Sequence, residues 1–308
     1  MSAEPSLTAE RSIAAGRDAR SWASKFAEAI KLRIGLEIAL AAVAGAAVAR
    51  GAPGNAVRVA LVAGAVLLSA CAAGAYNQYA EADIDALMRR TRNRPFVTGG
   101  FSTGRRWPWL IGATLVVAVA LAAWAANLMA AMWVLSGAIT YGVVYTVWLK
   151  RRTWLNIVVG GFAGTFALLA GAAAVDPRPS PEAALLGIAL FFWTPPHFWS
   201  LALYHKADYA AARVPMLPVL LPDRATALVI AAHVVVVAVA AIAAGFIGLG
   251  PVFLGAAVAG SAWFLAAAVR LVMRPERGRA LDCFHASLVQ LTLLLVGAIV
   301  DAAAAGRF

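Results

Sequence analysis

Four polar side chains recur at every fourth position where one long apolar segment of the chain ends. They are Asn77, Glu81, Asp85 and Arg89. Residues four apart share one face of an α-helix, so these groups are expected to be stacked one turn apart. An amide and two carboxylates on one face offer oxygen ligands to a divalent cation, and arginines at the next turn could hold an anion that travels with it. The spacing therefore predicts a site for a metal ion and an anionic ligand, because three oxygen ligands exceed what a simple helix cap requires.

The composition around this cluster is typical of a membrane protein. The chain has 308 residues, of which 62% are hydrophobic and only 13% are charged, and its mean hydropathy is +0.79. Ionisable groups near the depth of a bilayer are costly and indicate a functional site. The two cysteines, Cys71 and Cys283, have no metal-ligand partners in sequence and are interpreted as core residues.

Nine segments are apolar enough to cross a membrane as helices, for which roughly 20 residues are needed. They lie near residues 34–50, 56–77, 108–127, 129–147, 154–175, 183–203, 226–248, 250–270 and 284–305. The sequence therefore predicts an all-α polytopic membrane protein. Residues 1–30 are polar and charged and are predicted to form a flexible cytoplasmic tail, and residues 31–308 are predicted to form one transmembrane domain.

The basic residues predict the orientation in the membrane. Of the 26 lysines and arginines, all but Arg50, Arg58, Arg178 and Arg307 fall in the N-terminal tail or in the loops after the second, fourth, sixth and eighth spans. By the positive-inside rule these regions, with the acidic cluster, are expected to be cytoplasmic, in the cell inner membrane. The same distribution accounts for the net charge of +11. No aromatic and basic residues alternate as in RNA-binding motifs, so nucleic acid is not expected as a partner.

A second polar segment follows the sixth span and is expected on the same membrane face. Pro195 and Pro196 lie within that span, where lost backbone hydrogen bonds are tolerated only if the freed groups face protein or a water-filled cavity. The pair predicts a cavity-lining kink with His197 beside it, although a lone histidine in a span is often only a packing residue. Asp208 and Tyr209 follow near the interface and are expected to face the acidic cluster.

These motifs resemble those of the UbiA-type intramembrane prenyltransferases. Residues 77–95 are similar to the first aspartate-rich motif of that family. The similarity continues in residues 145–153, 156–157, 193–199, 208–209, 215–218 and 284–288. The aspartate motif is shared across the superfamily, whereas residues 193–199 and 215–218 are typical of the branch that farnesylates protohaem IX.

The resemblance implies a fold and an activity. The fold would be nine transmembrane helices around a central cavity, with two acidic motifs at its cytoplasmic mouth. The activity would be transfer of a farnesyl group from farnesyl diphosphate to a vinyl group of haem B, with addition of water, giving haem O for terminal oxidase assembly. The implied cofactor is Mg²⁺, and the implied partners are farnesyl diphosphate, haem B and the lipid bilayer. Haem A synthase and terminal oxidase assembly factors are candidate protein partners.

The resemblance also assigns roles by position. Catalytic and Mg²⁺-binding roles fall on Asn77, Glu81, Asp85 and Asp208. Candidate substrate-binding residues are Asp83, Arg89, Arg94, Lys150, Arg151, Arg152, His197, Tyr204 and Tyr209. Glu81 stands where the family usually has aspartate, and Ala207 replaces one of two tandem acids, so that Asp208 is the only carboxylate of the second motif.

Two other functions stay open from the sequence. One is a prenyltransferase of the same type with a quinone precursor or a chlorin as acceptor, against which residues 193–199 and 215–218 argue. The other is a haem-binding or transport protein without catalysis. The oxygen-rich cluster at the end of a span favours catalysis over transport, because Mg²⁺ and basic side chains stabilise a leaving diphosphate.

Overall fold

Helices joined by short turns and loops form the part of the chain that the structure describes. The computed structural model describes residues 21–50 and 55–306, and these ranges contain no β-strand. The helices are α1 (Trp22–Ala29), α2 (Leu32–Val48), α3 (Ala56–Ala80), α4 (Ala82–Leu87), α5 (Arg106–Ala125), α6 (Leu128–Ile139) continued by a π-helix (Thr140–Leu149), α7 (Asn156–Gly160), α8 (Phe162–Ala173), α9 (Pro181–Tyr204), α10 (Lys206–Ala211), α11 (Leu217–Leu220), α12 (Asp223–Ile247), α13 (Pro251–Met273) and α14 (Arg277–Ala304). Within the described ranges, eight helical segments are long and apolar enough to span a membrane, and the chain is a multi-pass membrane protein.

The first predicted span corresponds to a helix that is slightly too short to be counted among these eight segments. Residues 34–50 were expected to cross the membrane, and the structure places the 17-residue helix α2 there, one residue shorter than the shortest of the eight. This helix packs against α3, α8 and α14, so it is an integral part of the bundle. Of the predicted tail, residues 1–20 lie outside the described residues and Trp22–Ala29 forms α1. The division at residue 30 stays a prediction.

Helices α2 and α8 touch backbone to backbone at two glycines. A β-carbon added at Gly45 would collide with the carbonyl oxygen of Leu168, and one added at Gly171 would collide with that of Ala42. Small residues permit this close approach between membrane helices, where van der Waals packing drives association. By contrast, a β-carbon added at Gly164 would meet no atom within 4 Å. The glycines of α8 therefore differ in function although they look alike in the sequence.

Gly171→Val is expected to destabilise the protein by at least about 3 kcal/mol, because the valine cannot fit without separating α2 from α8. Thermal unfolding of the detergent-solubilised protein would measure the effect. Gly164→Val is the matched control, since it makes the same chemical change on the same helix at an open position. Equal melting temperatures for the two variants would contradict the close contact.

The fourth span changes from an α-helix to a π-helix at Thr140. The Lys150 N–H accordingly donates to the carbonyl of Tyr145, five residues earlier, at 2.9 Å. π-Helical turns are rare and occur frequently at functional sites. Here the wider turn allows Thr146 and Lys150 to reach the end of α3 together.

Helix α9 runs from Pro181 to Tyr204 and continues through both internal prolines. Side-chain hydroxyls bond to backbone carbonyls around them, since Thr194 Oγ1 donates to Leu190 O at 3.1 Å and Ser200 Oγ donates to Pro196 O at 2.6 Å. Pro195 and Pro196 are buried in protein, which is the setting in which a membrane helix tolerates proline. The loss of backbone donors is thus accommodated without an interruption of the helix, and the cavity-lining kink stays a prediction.

Candidate active site

The acidic cluster lies at one end of the bundle, where α3 gives way to α4. Asn77 is in the last turn of α3, Glu81 is the junction residue, and Asp85 lies on α4. The backbone hydrogen bonds continue across the junction, from Glu81 N–H to Asn77 O at 3.0 Å and from Asp85 N–H to Glu81 O at 2.8 Å. All three side chains are buried. The predicted four-residue spacing therefore keeps these three groups in register.

Arg89 departs from that register. Helix α4 ends at Leu87, and Met88 has an extended backbone (φ −104°, ψ 130°). Arg89 follows this bend and is exposed. The prediction that Arg89 shares the helix face is wrong, because four-residue spacing aligns side chains only while the helix continues.

The two buried carboxylates of the motif each have a basic partner. Lys150, at the end of the π-helix, forms an ion pair with Glu81 Oε2, and Arg94 Nη1 donates to Asp85 Oδ2 at 2.6 Å. Lys150 and Arg94 are themselves largely shielded from solvent. The predicted grouping of these four residues is therefore found in the structure, with charges of both signs inside the protein.

Asp83 and Arg151 form a separate pair at the surface. The Arg151 guanidinium donates to both carboxylate oxygens of Asp83, at 2.8 Å each. This fork lowers the pKa of the Asp83 carboxyl below its usual value. The neighbouring Arg152 turns away and donates to the Trp148 carbonyl at 3.1 Å. Asp83 and Arg151 thus stand outside the buried group, although Asp83 lies between Glu81 and Asp85 in the sequence.

Lys31 belongs to the site although no sequence pattern links it to Asn77. Its Nζ donates to Asn77 Oδ1 at 2.5 Å and to the Tyr141 hydroxyl at 2.7 Å. It joins α1 to α2 with a left-handed backbone (φ 51°, ψ 45°), which is energetically unfavourable for a residue other than glycine. Burial, and to a smaller extent Arg94, lowers the pKa of the Lys31 amino group to about 7. In the sequence Lys31 begins the segment Lys31-Leu32-Arg33, where the family typically has Lys-Pro-Arg, and no site role was predicted for it.

Hydrogen-bond directions fix which end of the Asn77 amide faces Lys31. Thr146 Oγ1 donates its only proton to the Tyr141 carbonyl at 2.8 Å. It must therefore accept from Asn77 Nδ2, which lies 2.9 Å away. Asn77 Oδ1 then points to the opposite side, toward Lys31. An oxygen in that position is of the type that binds a divalent cation.

The buried group suits a divalent cation that shares its coordination with a phosphate ligand. Glu81 Oε1 is buried and has no hydrogen-bond partner, so one carboxylate oxygen is free to act as a ligand. Within residues 21–50 and 55–306, no three His, Cys, Asp or Glu side chains are grouped closely enough to hold a metal ion. Mg²⁺ is usually bound by one or two carboxylates together with substrate phosphates. The donor set fits Mg²⁺ in that mode.

The second acidic segment reaches the same end of the bundle through Tyr209. The buried Tyr209 hydroxyl accepts a hydrogen bond from Arg90 at 3.4 Å, and Arg90 lies in the first aspartate-rich motif. Burial raises the pKa of Tyr209. Asp208 instead lies 3.8 Å from His205 Nδ1 through its Oδ2, and it does not join Glu81 and Asp85 in a three-carboxylate group among the described residues. Its assigned metal role stays a prediction.

His197 is held in one tautomer by Ser287. Ser287 Oγ donates to Phe284 O at 2.5 Å, so it can only accept from His197 Nδ1, 2.7 Å away. The Nδ1 atom therefore carries the proton, and no hydrogen bond to Nε2 is found in the described ranges. Trp193 stacks on the imidazole at 4.2 Å between ring centroids and donates to Ser287 O at 3.0 Å. The arrangement leaves Nε2 unprotonated, so that it can accept a hydrogen bond.

One apolar cluster connects the His197 segment to the acidic end. Its buried members include Tyr145, Trp199 and Tyr209, and Trp193 and Tyr204 pack against it. The Tyr204 ring is covered by the Arg277 guanidinium at 4.8 Å. The two groups of polar residues are therefore joined by one packed apolar cluster.

Sequence comparisons identify relatives across most of the chain. The model of the UbiA prenyltransferase family matches residues 38–294. A Paramagnetospirillum magneticum protein named protoheme IX farnesyltransferase 2 is 54% identical over 280 residues, which cover 91% of this chain and 97% of that protein. A second protein of that organism, named protoheme IX farnesyltransferase 1, is 40% identical over 90% of this chain and 98% of its own length.

Solved structures share the same fold. An apo UbiA homologue from Aeropyrum pernix is 25% identical and superimposes with a TM-score of 0.69, covering 88% of this chain and 98% of the other. A UbiA homologue from Archaeoglobus fulgidus, bound to DMAPP and Mg²⁺, has a TM-score of 0.67 at 15% identity, covering 88% of this chain and 99% of the other. At that identity the second likeness concerns the fold alone.

Proposed function

The chain belongs to the UbiA prenyltransferase family, and we propose that it transfers a farnesyl group from farnesyl diphosphate to a vinyl group of haem B, giving haem O. Relatives named for the farnesylation of protoheme IX cover nearly the whole chain and support this choice of acceptor. The structural observation that carries it is the common apolar cluster between the acidic end and the His197 segment. The acidic cluster at one side of it is proposed to bind the diphosphate, and the His197 segment at the other side is proposed to bind the haem.

The diphosphate end is proposed to lie at Asn77, Glu81 and Asp85. Mg²⁺, when bound there, would neutralise the diphosphate and so favour ionisation of the allylic C–O bond. Lys150 and Arg94 already lie beside the carboxylates and would pair with phosphate oxygens as charge develops on them. The surface pair of Asp83 and Arg151 is proposed to meet the substrate at the mouth of the site.

The reaction is proposed to proceed by dissociation and capture. The farnesyl C1–O bond breaks, and the electron pair leaves with the diphosphate. The vinyl group of haem B then attacks C1 to form a carbon–carbon bond, and water adds to the resulting cation with loss of a proton, leaving a hydroxyethylfarnesyl group. Apolar walls that exclude water from the first cation protect it from premature hydrolysis.

The haem end is proposed to lie near His197, with Tyr204 and Tyr209 toward the acidic end. Ser287 holds the imidazole so that Nε2 is the free nitrogen. Exposed arginines at the acidic end of the bundle, including Arg89 and Arg152, are candidates to bind the haem propionates. We also propose the inner-membrane location with this end cytoplasmic, because the basic residues concentrate in the loops that reach it.

The proposal is tested by product analysis with competing acceptors. Purified protein would be incubated with Mg²⁺ and farnesyl diphosphate and with either haem B or 4-hydroxybenzoate, and the products analysed by mass spectrometry. We expect a haem product heavier by one farnesyl group and one water, and no prenylated aromatic acid. Product from 4-hydroxybenzoate alone would show that the acceptor is a quinone precursor, and haem binding without any product would show a non-catalytic protein.

A further inference from the structure

We propose that Lys31 holds Asn77 Oδ1 in the free enzyme in place of a divalent cation, and moves to the diphosphate when substrate binds. Metal and diphosphate would then bind together rather than one after the other. The inference rests on the proposed function, because it concerns the same site. It assigns a positioning role to a residue outside both acidic motifs.

The hydrogen bonds of Asn77 direct its amide oxygen toward Lys31. Thr146 fixes Nδ2 on one side, so Oδ1 must face Lys31 Nζ at 2.5 Å. A carbonyl oxygen has two lone pairs, but two cations at contact distance on one oxygen repel each other strongly away from water. Protonated Lys31 must therefore leave Asn77 before that oxygen can serve as a metal ligand.

The backbone around Lys31 restricts this movement to the side chain. Lys31 has a left-handed backbone at φ 51°, and a β-carbon added at Gly74 would lie 2.9 Å from Ile30 O and 3.3 Å from Lys31 Cβ. The turn is thus packed directly against α3 and cannot slide along it. Residues held in a strained conformation are found where the surrounding structure needs the side chain in one place. Tyr141, 2.7 Å from Nζ, offers a polar contact that Lys31 can keep while it releases Asn77.

Charge explains why diphosphate is needed for the exchange. Lys150 pairs with Glu81 Oε2 and Arg94 pairs with Asp85 Oδ2, so a lone divalent cation would enter a site where a basic group already pairs with one oxygen of each carboxylate. Only Glu81 Oε1 is buried without a partner in this group. A diphosphate anion supplies new acceptors for Lys31, Lys150 and Arg94 at once. The basic side chains and the cation then share one anion instead of competing for the same carboxylates.

The test uses Mn²⁺ as the metal probe and inorganic diphosphate as the anion. Binding of Mn²⁺ alone is measured by equilibrium dialysis, and retention of radiolabelled diphosphate is measured with and without Mn²⁺. For the wild type we expect weak binding of Mn²⁺ alone, and diphosphate binding that is about tenfold tighter when Mn²⁺ is present. For Lys31→Met we expect Mn²⁺ alone to bind about tenfold more tightly than to the wild type.

Lys206→Met is the control, because Lys206 pairs with Asp223 at 2.6 Å and does not contact the acidic motif. Its Mn²⁺ affinity should equal that of the wild type. Lys31→Gln provides a second variant if Lys31→Met does not fold, and the wild-type measurements need no variant. The inference would be overturned if the Lys31 variants bound Mn²⁺ with wild-type affinity. It would also be overturned if the wild type bound diphosphate with the same affinity with and without Mn²⁺. If these results appear as expected but haem B is not farnesylated, the proposed acceptor fails and the role of Lys31 stands.

Discussion

Asp85→Ala is expected to lower the rate of farnesyl transfer by about 10³-fold while leaving the protein folded and inserted in the membrane. The substitution removes a buried carboxylate at the site proposed for the cation and leaves the Arg94 guanidinium without its partner at 2.6 Å. Initial rates with farnesyl diphosphate and haem B, measured at saturating Mg²⁺ in lipid nanodiscs, would give the effect. Elution as a single species and an unchanged helical circular dichroism spectrum would show that the fold is retained.

Asp176→Ala is the matched control for this experiment. Asp176 is also a carboxylate with an arginine partner, Arg178 at 3.5 Å, but it lies in the loop between α8 and α9, which is outside the acidic motifs. Its activity should stay within about twofold of the wild type, because an exposed ion pair contributes little to stability. Retained turnover in Asp85→Ala would refute the metal role of the motif.

Lys150→Met is expected to lower both stability and activity. Glu81 is buried, and loss of its lysine leaves an uncompensated charge inside the protein, which costs about 3 kcal/mol of unfolding free energy or more. Activity should fall by about 100-fold, since a basic group near the leaving diphosphate is lost as well. Thermal unfolding and farnesyl transfer rates measure the two effects on the same preparation.

The double variant Glu81→Gln/Lys150→Met separates the structural role of the pair from its chemical role. Removing both charges should restore most of the lost stability, because no buried charge is then unpaired. Activity should stay low, because the free Oε1 of Glu81 is no longer part of a carboxylate. If the double variant were as unstable as Lys150→Met, the ion pair would not be the source of the destabilisation.

The sequence was sufficient for the class of fold and for the local arrangement of the acidic motif. Long apolar segments are recognised because a bilayer demands about 20 apolar residues from each spanning helix. The register of Asn77, Glu81 and Asp85 was also predictable, since it depends only on local helix geometry. Prediction failed where the backbone leaves that geometry, at the extended Met88 before Arg89. The π-helix that brings the predicted Lys150 to Glu81 had no signal in the sequence.

By itself, then, the sequence determined which oxygen ligands share a helix face and which loops are basic, because spacing and charge are local properties of the chain. Only the tertiary structure decided that Lys31, 46 residues before Asn77, donates to its amide oxygen. It also decided that Thr146 orients that amide and that Ser287 sets the tautomer of His197. These contacts join residues far apart in the chain. They arise only when packed helices bring such side chains within hydrogen-bonding distance, and each buried donor must then find an acceptor.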